Sequence, residues 1–224
     1  MTRAKTRLYT LPAMRLEQAY NTWATSYDTV ANKTRDLEAQ ALRAVVPAGR
    51  FERVVELGCG TGKNTAWLAA KAAHLTAVDF STEMLRQAQQ KLAGHQPPIT
   101  FALADITRPW HFAPASATDL LTSSLILEHL PDLEVVFAHA RRALRPSGLF
   151  YLGELHPFKQ YLGSQARFDT PTGTVELECY VHHLSDYTEA ARRHGFQLQR
   201  LQEWFDQDAP SATPPRIVSF LFEV

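Results

Sequence analysis

The chain of 224 residues carries 45% hydrophobic and 21% charged side chains, a balance that excludes intrinsic disorder and collagen-like or coiled-coil repeats and sets its length at one domain, 1–224. Its 23 basic and 23 acidic residues cancel, so no electrostatic bias points to a nucleic-acid backbone or an anionic membrane as partner. Two cysteines, Cys59 and Cys179, are too few for a disulfide scaffold or a zinc cluster, and no window approaches the ~18 apolar residues of a membrane span. The expectation is a soluble, cytoplasmic protein, monomer or homodimer, with no bound metal.

In chain order, Leu16–Tyr27 and Arg35–Val46 read as amphipathic helices, the second stopped by Pro47. They form an expected helical cap over residues 1–46, lying over one edge of a sheet. Short β-branched runs then alternate with helical stretches, the pattern of a parallel sheet with helices on its faces. Arg53–Leu57, Leu75–Val78, Ile99–Leu103, Ala117–Thr122 and Gly148–Leu152 are the predicted strands. Lys63–Ala73, Thr82–Ala93 with Ser81 as N-cap, and Leu133–Leu144 are the predicted helices. After Leu155 the alternation fails. Val175–Val181 is strand-like, Asp186–His194 helical, and Phe196–Trp204 and Arg216–Val224 are strand-like. The turn Asp208–Pro215 is too short for a crossover, so these last two strands pair antiparallel.

The most informative stretch is VVELGCGTGKNT, Val54–Thr65. Gly58, Gly60 and Gly62 follow a strand and precede a helix, where the lack of Cβ lets backbone turn sharply and approach a ligand. A dinucleotide fingerprint needs its third glycine one residue later, at Lys63, and a phosphate loop needs Ser or Thr after the lysine, where Asn64 stands. Asp79 lies in AVDFS, about 20 residues past the first glycine, and Asp105 ends a strand in ALADI. The segment TSSLILEHLPD follows the fourth strand.

This set, with Glu56 ahead of the glycines, resembles the class I S-adenosylmethionine-dependent methyltransferases. The resemblance implies an α/β, Rossmann-like doubly wound sheet of seven strands, mostly parallel with an antiparallel C-terminal strand. It implies S-adenosylmethionine as cofactor, with S-adenosylhomocysteine as product. Glu56, Gly58, Cys59, Gly60, Gly62 and Asn64 are then the glycine-loop contacts. Asp79 holds the ribose hydroxyls, Phe80 and Met84 flank the adenine, Asp105 accepts from its amine, Ile106 offers backbone to the ring, and Ser123 lies by the methionine moiety. The N-terminal run carrying Trp23, Tyr27 and Asp28 is similar to an element that closes over the cofactor, placing Tyr20 or Tyr27 against the sulfonium.

The implied reaction is in-line methyl transfer to an O, N or S atom of a small metabolite. Carbon methylation of a quinone-type or other prenylated substrate is the nearer rival, and a cofactor-binding or interaction protein on a retained fold is the non-enzyme alternative. The run Ser123, Ser124, Leu125, Ile126 lacks the motif of enzymes that methylate a flipped base, so no nucleic-acid acceptor is expected. Where the nucleophile must lose a proton, histidine suits the task. His156, oriented by Glu154, is the first candidate base and His129 the second. The segment from His156, taken to 183 as a substrate lid, mixes aromatic and cationic residues. It supplies His156, Tyr161 and His183 as acceptor contacts beside Tyr27 and His129. His182 and His183 are adjacent on a strand-like run, so they point apart and do not chelate one ion.

Overall fold

The computed structural model describes residues 16–171, 173–207, 210 and 213–224. The expected cap at 1–15 and the turn positions 208, 209, 211 and 212 lie outside the described residues. The elements are α1 (Leu16–Trp23), α2 (Lys33–Val45), β1 (Phe51–Leu57), α3 (Thr65–Lys71), β2 (Ala72–Asp79), α4 (Thr82–Lys91), β3 (Ile99–Leu103), β4 (Thr118–Ser124), α5 (Glu134–Ala143), β5 (Leu144–Leu155), α6 (Pro157–Tyr161), β6 (Arg167–Thr170), β7 (Gly173–Glu176), α7 (Leu184–Arg193), β8 (Gln197–Trp204) and β9 (Ile217–Glu223).

Seven strands form one sheet in the order β3-β2-β1-β4-β5-β9-β8. β1 to β5 are mutually parallel, and β9 runs antiparallel to both β5 and β8. The order reverses between β1 and β4, the switch point where an open α/β sheet leaves a crevice outside its carboxyl ends. Register brings Leu57, Val78 and Ser123 level, with Asp79 opposite Leu103, so all four strand ends meet at that crevice.

Period-two alternation builds the core on both faces of the sheet. Val55, Leu121, Phe150 and Phe222 point to one face, where Phe137 of α5 and Tyr187 of α7 cover them. Val54, Leu120, Tyr151 and Leu221 point to the other, against Leu42 of α2 and Leu68 of α3. α2 therefore lies on a sheet face and not over an edge as expected. α1 packs instead on α4 and on the β6–β7 hairpin. Asn21 Oδ1 accepts from Ser81 Oγ at 2.7 Å and from Glu83 N at 3.1 Å, tying α1 to the start of α4, and Trp23 stacks on Phe168 of β6 with ring centroids 5.1 Å apart.

Two element boundaries differ from the sequence expectation for the same reason, competition by ladder pairing. Ala72 pairs with Phe51 and draws β2 into what read as helix, so α3 stops at Lys71. The expected strand Val175–Val181 shortens to Glu176, because Arg167–Thr170 folds back as its partner in a separate hairpin. Beyond it the chain runs along the roof of the site, with Tyr180 N donating to Glu128 O at 2.6 Å. Ser81 caps α4 as expected, its Oγ accepting from Met84 N at 3.1 Å.

Candidate active site

The glycine loop leaves β1 with Gly58 and Gly60 in left-handed conformation, φ +67° and +54°. A Cβ at Gly58 would stand 2.3 Å from Ile126 Cγ2, whereas one at Gly60 would meet no atom within 4 Å. The first glycine is thus required by the fold and the second holds open a space. That space belongs to a cavity of about 390 Å³ at the strand ends. Of the expected cofactor residues, Tyr20, Tyr27, Gly58, Gly60, Asp79, Phe80, Met84, Asp105 and Ile106 all border it, as does His129.

Asp79 is buried, with Oδ2 accepting from Gly60 N at 2.8 Å and Oδ1 from Ser81 N at 2.9 Å. Burial lifts its pKa to about 6 against the opposing pull of these backbone donors. Asp105 Oδ1 accepts from Thr107 N and Oγ1 at 2.8 and 2.7 Å, and Trp110 Nε1 donates to Ile106 O at 2.9 Å, fixing that backbone. The cap is latched to the same loop: Thr61 Oγ1 and Lys91 Nζ donate to the two oxygens of Asp28 at 2.8 and 2.6 Å.

The structure does not bring Glu56, Cys59, Gly62, Asn64 or Ser123 to the cavity wall. Glu56 is buried behind the loop and accepts from Thr65 Oγ1 at 2.7 Å at the start of α3, its pKa pushed up to about 8 by burial. Asn64 Nδ2 donates to Glu38 Oε2 at 3.1 Å. Cys59 packs against Ala77 and Leu85, and a Cβ at Gly62 would meet Leu92 of the segment after α4. Ser123 is fully buried within β4, and Ser124, Leu125 and Ile126 take the lining positions instead. Leu125 holds φ +58° there, a conformation uncommon for a bulky side chain. Nothing in composition or period marked it; the displacement of the wall by one residue follows from where β4 stops pairing.

The two candidate bases separate. His129 Nδ1 lies 2.9 Å from Glu178 O and Nε2 lies 2.8 Å from Tyr20 Oη. A carbonyl only accepts, so Nδ1 carries the hydrogen and Nε2 accepts from the Tyr20 hydroxyl. Burial lowers the His129 pKa and raises that of Tyr20, favouring this neutral pair. His156 does not border this cavity. Its Nδ1 accepts from Phe158 N at 3.2 Å as the N-cap of α6, its Nε2 pairs with Glu203 Oε1 at 2.9 Å, and its ring stacks on Phe158. Glu154 does not orient it: Glu154 Oε1 accepts from Leu127 N at 3.1 Å on the opposite flank. Tyr161 and His183 bond each other at 2.5 Å on the exposed surface and border neither cavity described here. His182 turns away from His183 to Leu130 O at 2.8 Å.

A second, larger cavity of about 690 Å³ shares Tyr20, Tyr27 and Leu125 with the first. Its far side is built from the start of α2 and from the residues between α6 and β6, Leu162–Arg167, with Glu128 below. Burial lifts Glu128 to a pKa of about 7. Glu128, His129 and Cys179 bring ligand-type atoms within 4.8 Å of one another, but both ring nitrogens of His129 are engaged, which leaves no imidazole lone pair for an ion.

Residues 54–148 match a family model described as a methyltransferase domain. The chain is 26% identical over 219 residues to an uncharacterized methyltransferase of Emericella nidulans, covering 81% of this chain and 75% of that protein. It is 38% identical over 117 residues to trans-aconitate 2-methyltransferase of Azoarcus sp., covering 51% of this chain and 44% of that one, under half of that enzyme's length. The crystal structure of an S-adenosylmethionine-dependent methyltransferase from Mesorhizobium loti shares its fold, with a TM-score of 0.69 at 24% identity over 83% of this chain and 96% of that one. A methyltransferase-domain match that begins in β1 and ends in β5, relatives with methyltransferase names, and a shared fold make this chain similar to the S-adenosylmethionine-dependent methyltransferases, the resemblance that its glycine loop carries.

Proposed function

We propose that this enzyme methylates an O, N or S atom of a small metabolite, with the cofactor in the 390 Å³ cavity and the acceptor in its 690 Å³ neighbour. The observation that carries this reading is the shared wall. Tyr20 and Tyr27 from the cap and Leu125 from the β4 loop border both volumes, so a group crossing between them passes these three side chains. The bound cofactor supplies an electrophilic methyl on a good leaving group, which leaves alignment and exclusion of water as the protein's tasks.

Each chain residue then has a physical role. Asp79 accepts from the ribose hydroxyls, the opening at Gly60 lets the loop backbone approach, and Phe80 and Met84 enclose the adenine with Asp105 and Ile106 at its edge. His129 pins the Tyr20 hydroxyl, so the pair acts as a positioning unit at the wall. The segment 156–183 works as a substrate lid of the single domain, through Leu162–Arg167. The trans-aconitate enzyme among the relatives acts on a small polar molecule, which supports a metabolite as acceptor.

Calorimetry tests this reading. S-adenosylhomocysteine is expected to bind the wild type and nicotinamide dinucleotides to give no heat. Gly60→Ala is expected to weaken the binding at least tenfold, since it adds a methyl group to a residue that borders the cavity and must hold alanine at φ +54°, although the methyl meets no protein atom within 4 Å. Equal affinity in wild type and Gly60→Ala contradicts the seating.

A further inference from the structure

The second cavity carries an imbalance of charge that the whole molecule does not share. The chain is neutral overall, with 23 basic and 23 acidic residues, yet Lys33, Arg35, Arg167 and Arg216 surround this volume against one carboxylate, Glu128. Arg216 is already answered, its Nε and Nη2 donating to the two oxygens of Asp206 at 2.5 and 2.6 Å. Glu128 is buried and titrates near neutrality, so it offers less than a full negative charge.

The other three cations take part in no ion pair found among the described residues. Arg35 gives Nη1 and Nη2 to the carbonyls of Tyr27 and Val30 at 2.7 and 3.0 Å, lies 3.9 Å over the Tyr27 ring, and keeps a buried Nε without a partner. Its plane is fixed by neutral groups, and the carboxylates that feel Arg35 and Lys33, Asp28 and Asp206, are themselves paired with Lys91 and Arg216. Lys33 and Arg167 are exposed at the rim and stand on opposite sides, one on α2 and one on β6. Unbalanced cations around a concave surface focus a positive potential into it.

Resting on the reading of the two cavities above, we infer that the acceptor is an oxyanion-bearing small molecule, a di- or tricarboxylate or an alkylphosphonate, held by Lys33 and Arg167 with Arg35 behind them. The transfer then balances without a base. The ionised oxygen supplies the electron pair for the new C–O bond, the S–CH₃ bond breaks with its pair left on sulfur, and a methyl ester and a neutral thioether form with no proton released. Opposite charges on nucleophile and sulfonium are lost together, a step that a dry cavity favours over water. A neutral His129 engaged at both nitrogens agrees with this, since nothing here must accept a proton.

The test is a methyl-transfer screen, read by mass spectrometry, over di- and tricarboxylic acids, alkylphosphonates, the neutral amides of the same acids, and primary amines. Transfer to a carboxylate or phosphonate is expected, with KM rising as salt is added. Lys33→Ala and Arg167→Ala should each raise that KM about tenfold or more, the scale of one charge-assisted hydrogen bond, and Arg167→Lys should recover part of the loss. S-adenosylhomocysteine affinity should be unchanged in all three. Transfer confined to amides or amines, no transfer to any anion, or an unchanged KM in both alanine variants overturns the inference while leaving the cofactor seating intact. Failure of the wild type to bind S-adenosylhomocysteine overturns the two-cavity reading and this inference with it.

Discussion

Asp79 ends β2 with each carboxylate oxygen taken by one backbone N–H, so each oxygen keeps acceptor capacity for a further donor. Its pKa of about 6 gives a prediction with a definite sign. Ribose hydroxyls donate to the ionised form, so binding in acid must first remove a proton. S-adenosylhomocysteine affinity should therefore fall as pH drops below about 6 and level off above about 7, and Asp79→Asn should be weaker by about 2 kcal/mol and flat across this range. Titration calorimetry at several pH values checks it, and a pH-independent wild type contradicts it. Asp79 was legible only in company: a strand-end acid alone is most often a cap or turn residue, and the glycine turn about 20 residues before it, within the family resemblance, pointed to a ligand. His156 was not. It also follows a strand, but α6 turns it under the lid to Glu203, a partner 47 positions away that no local spacing announces. Glu56 misleads in a different way: it sits in the motif, yet strand alternation points it behind the loop to Thr65, away from the ligand side.

Among the elements, α1 is tied to the rest of the fold by a few named contacts. Its described part, Leu16–Trp23, is held by the Asn21 bonds to α4, by Trp23 on Phe168 and by the Asp28 latch that follows it. α1 borders the 390 Å³ cavity through Leu16, Glu17 and Tyr20, so a ligand seated there is expected to steady these contacts. Backbone hydrogen exchange in 16–33 and 156–174 is expected to slow on adding S-adenosylhomocysteine while β1 and β4 stay protected throughout. Equal exchange in both states would show that cap and lid are static walls. The cap was readable as helix from its apolar spacing, whereas its position over α4 depends on Asn21, a polar residue with no periodic signal. Of the β6–β7 hairpin only Val175 and Glu176 had read as strand, since four-residue strands carry too few alternations to stand out from a loop.

At the scale of the molecule, the sheet order places four strand ends around one crevice, and the cap and hairpin divide that crevice into two volumes with a common wall. The parallel half was legible because short strand-like runs alternate with helical stretches from β1 to β5, the pattern of a sheet with helices on its faces. The antiparallel return of β8 and β9 followed from the shortness of the turn between them. The second cavity was not legible, because its rim joins Lys33, Arg167 and Arg216, positions brought together only by folding. The central claim is that methyl passes across the wall of Tyr20, Tyr27 and Leu125. A crystal structure of the S-adenosylhomocysteine complex tests it most directly. The account predicts the ribose on Asp79 and the thioether sulfur at that wall, facing the second cavity; a sulfur directed away from Tyr20 and Tyr27, or a ligand bound elsewhere, would contradict it.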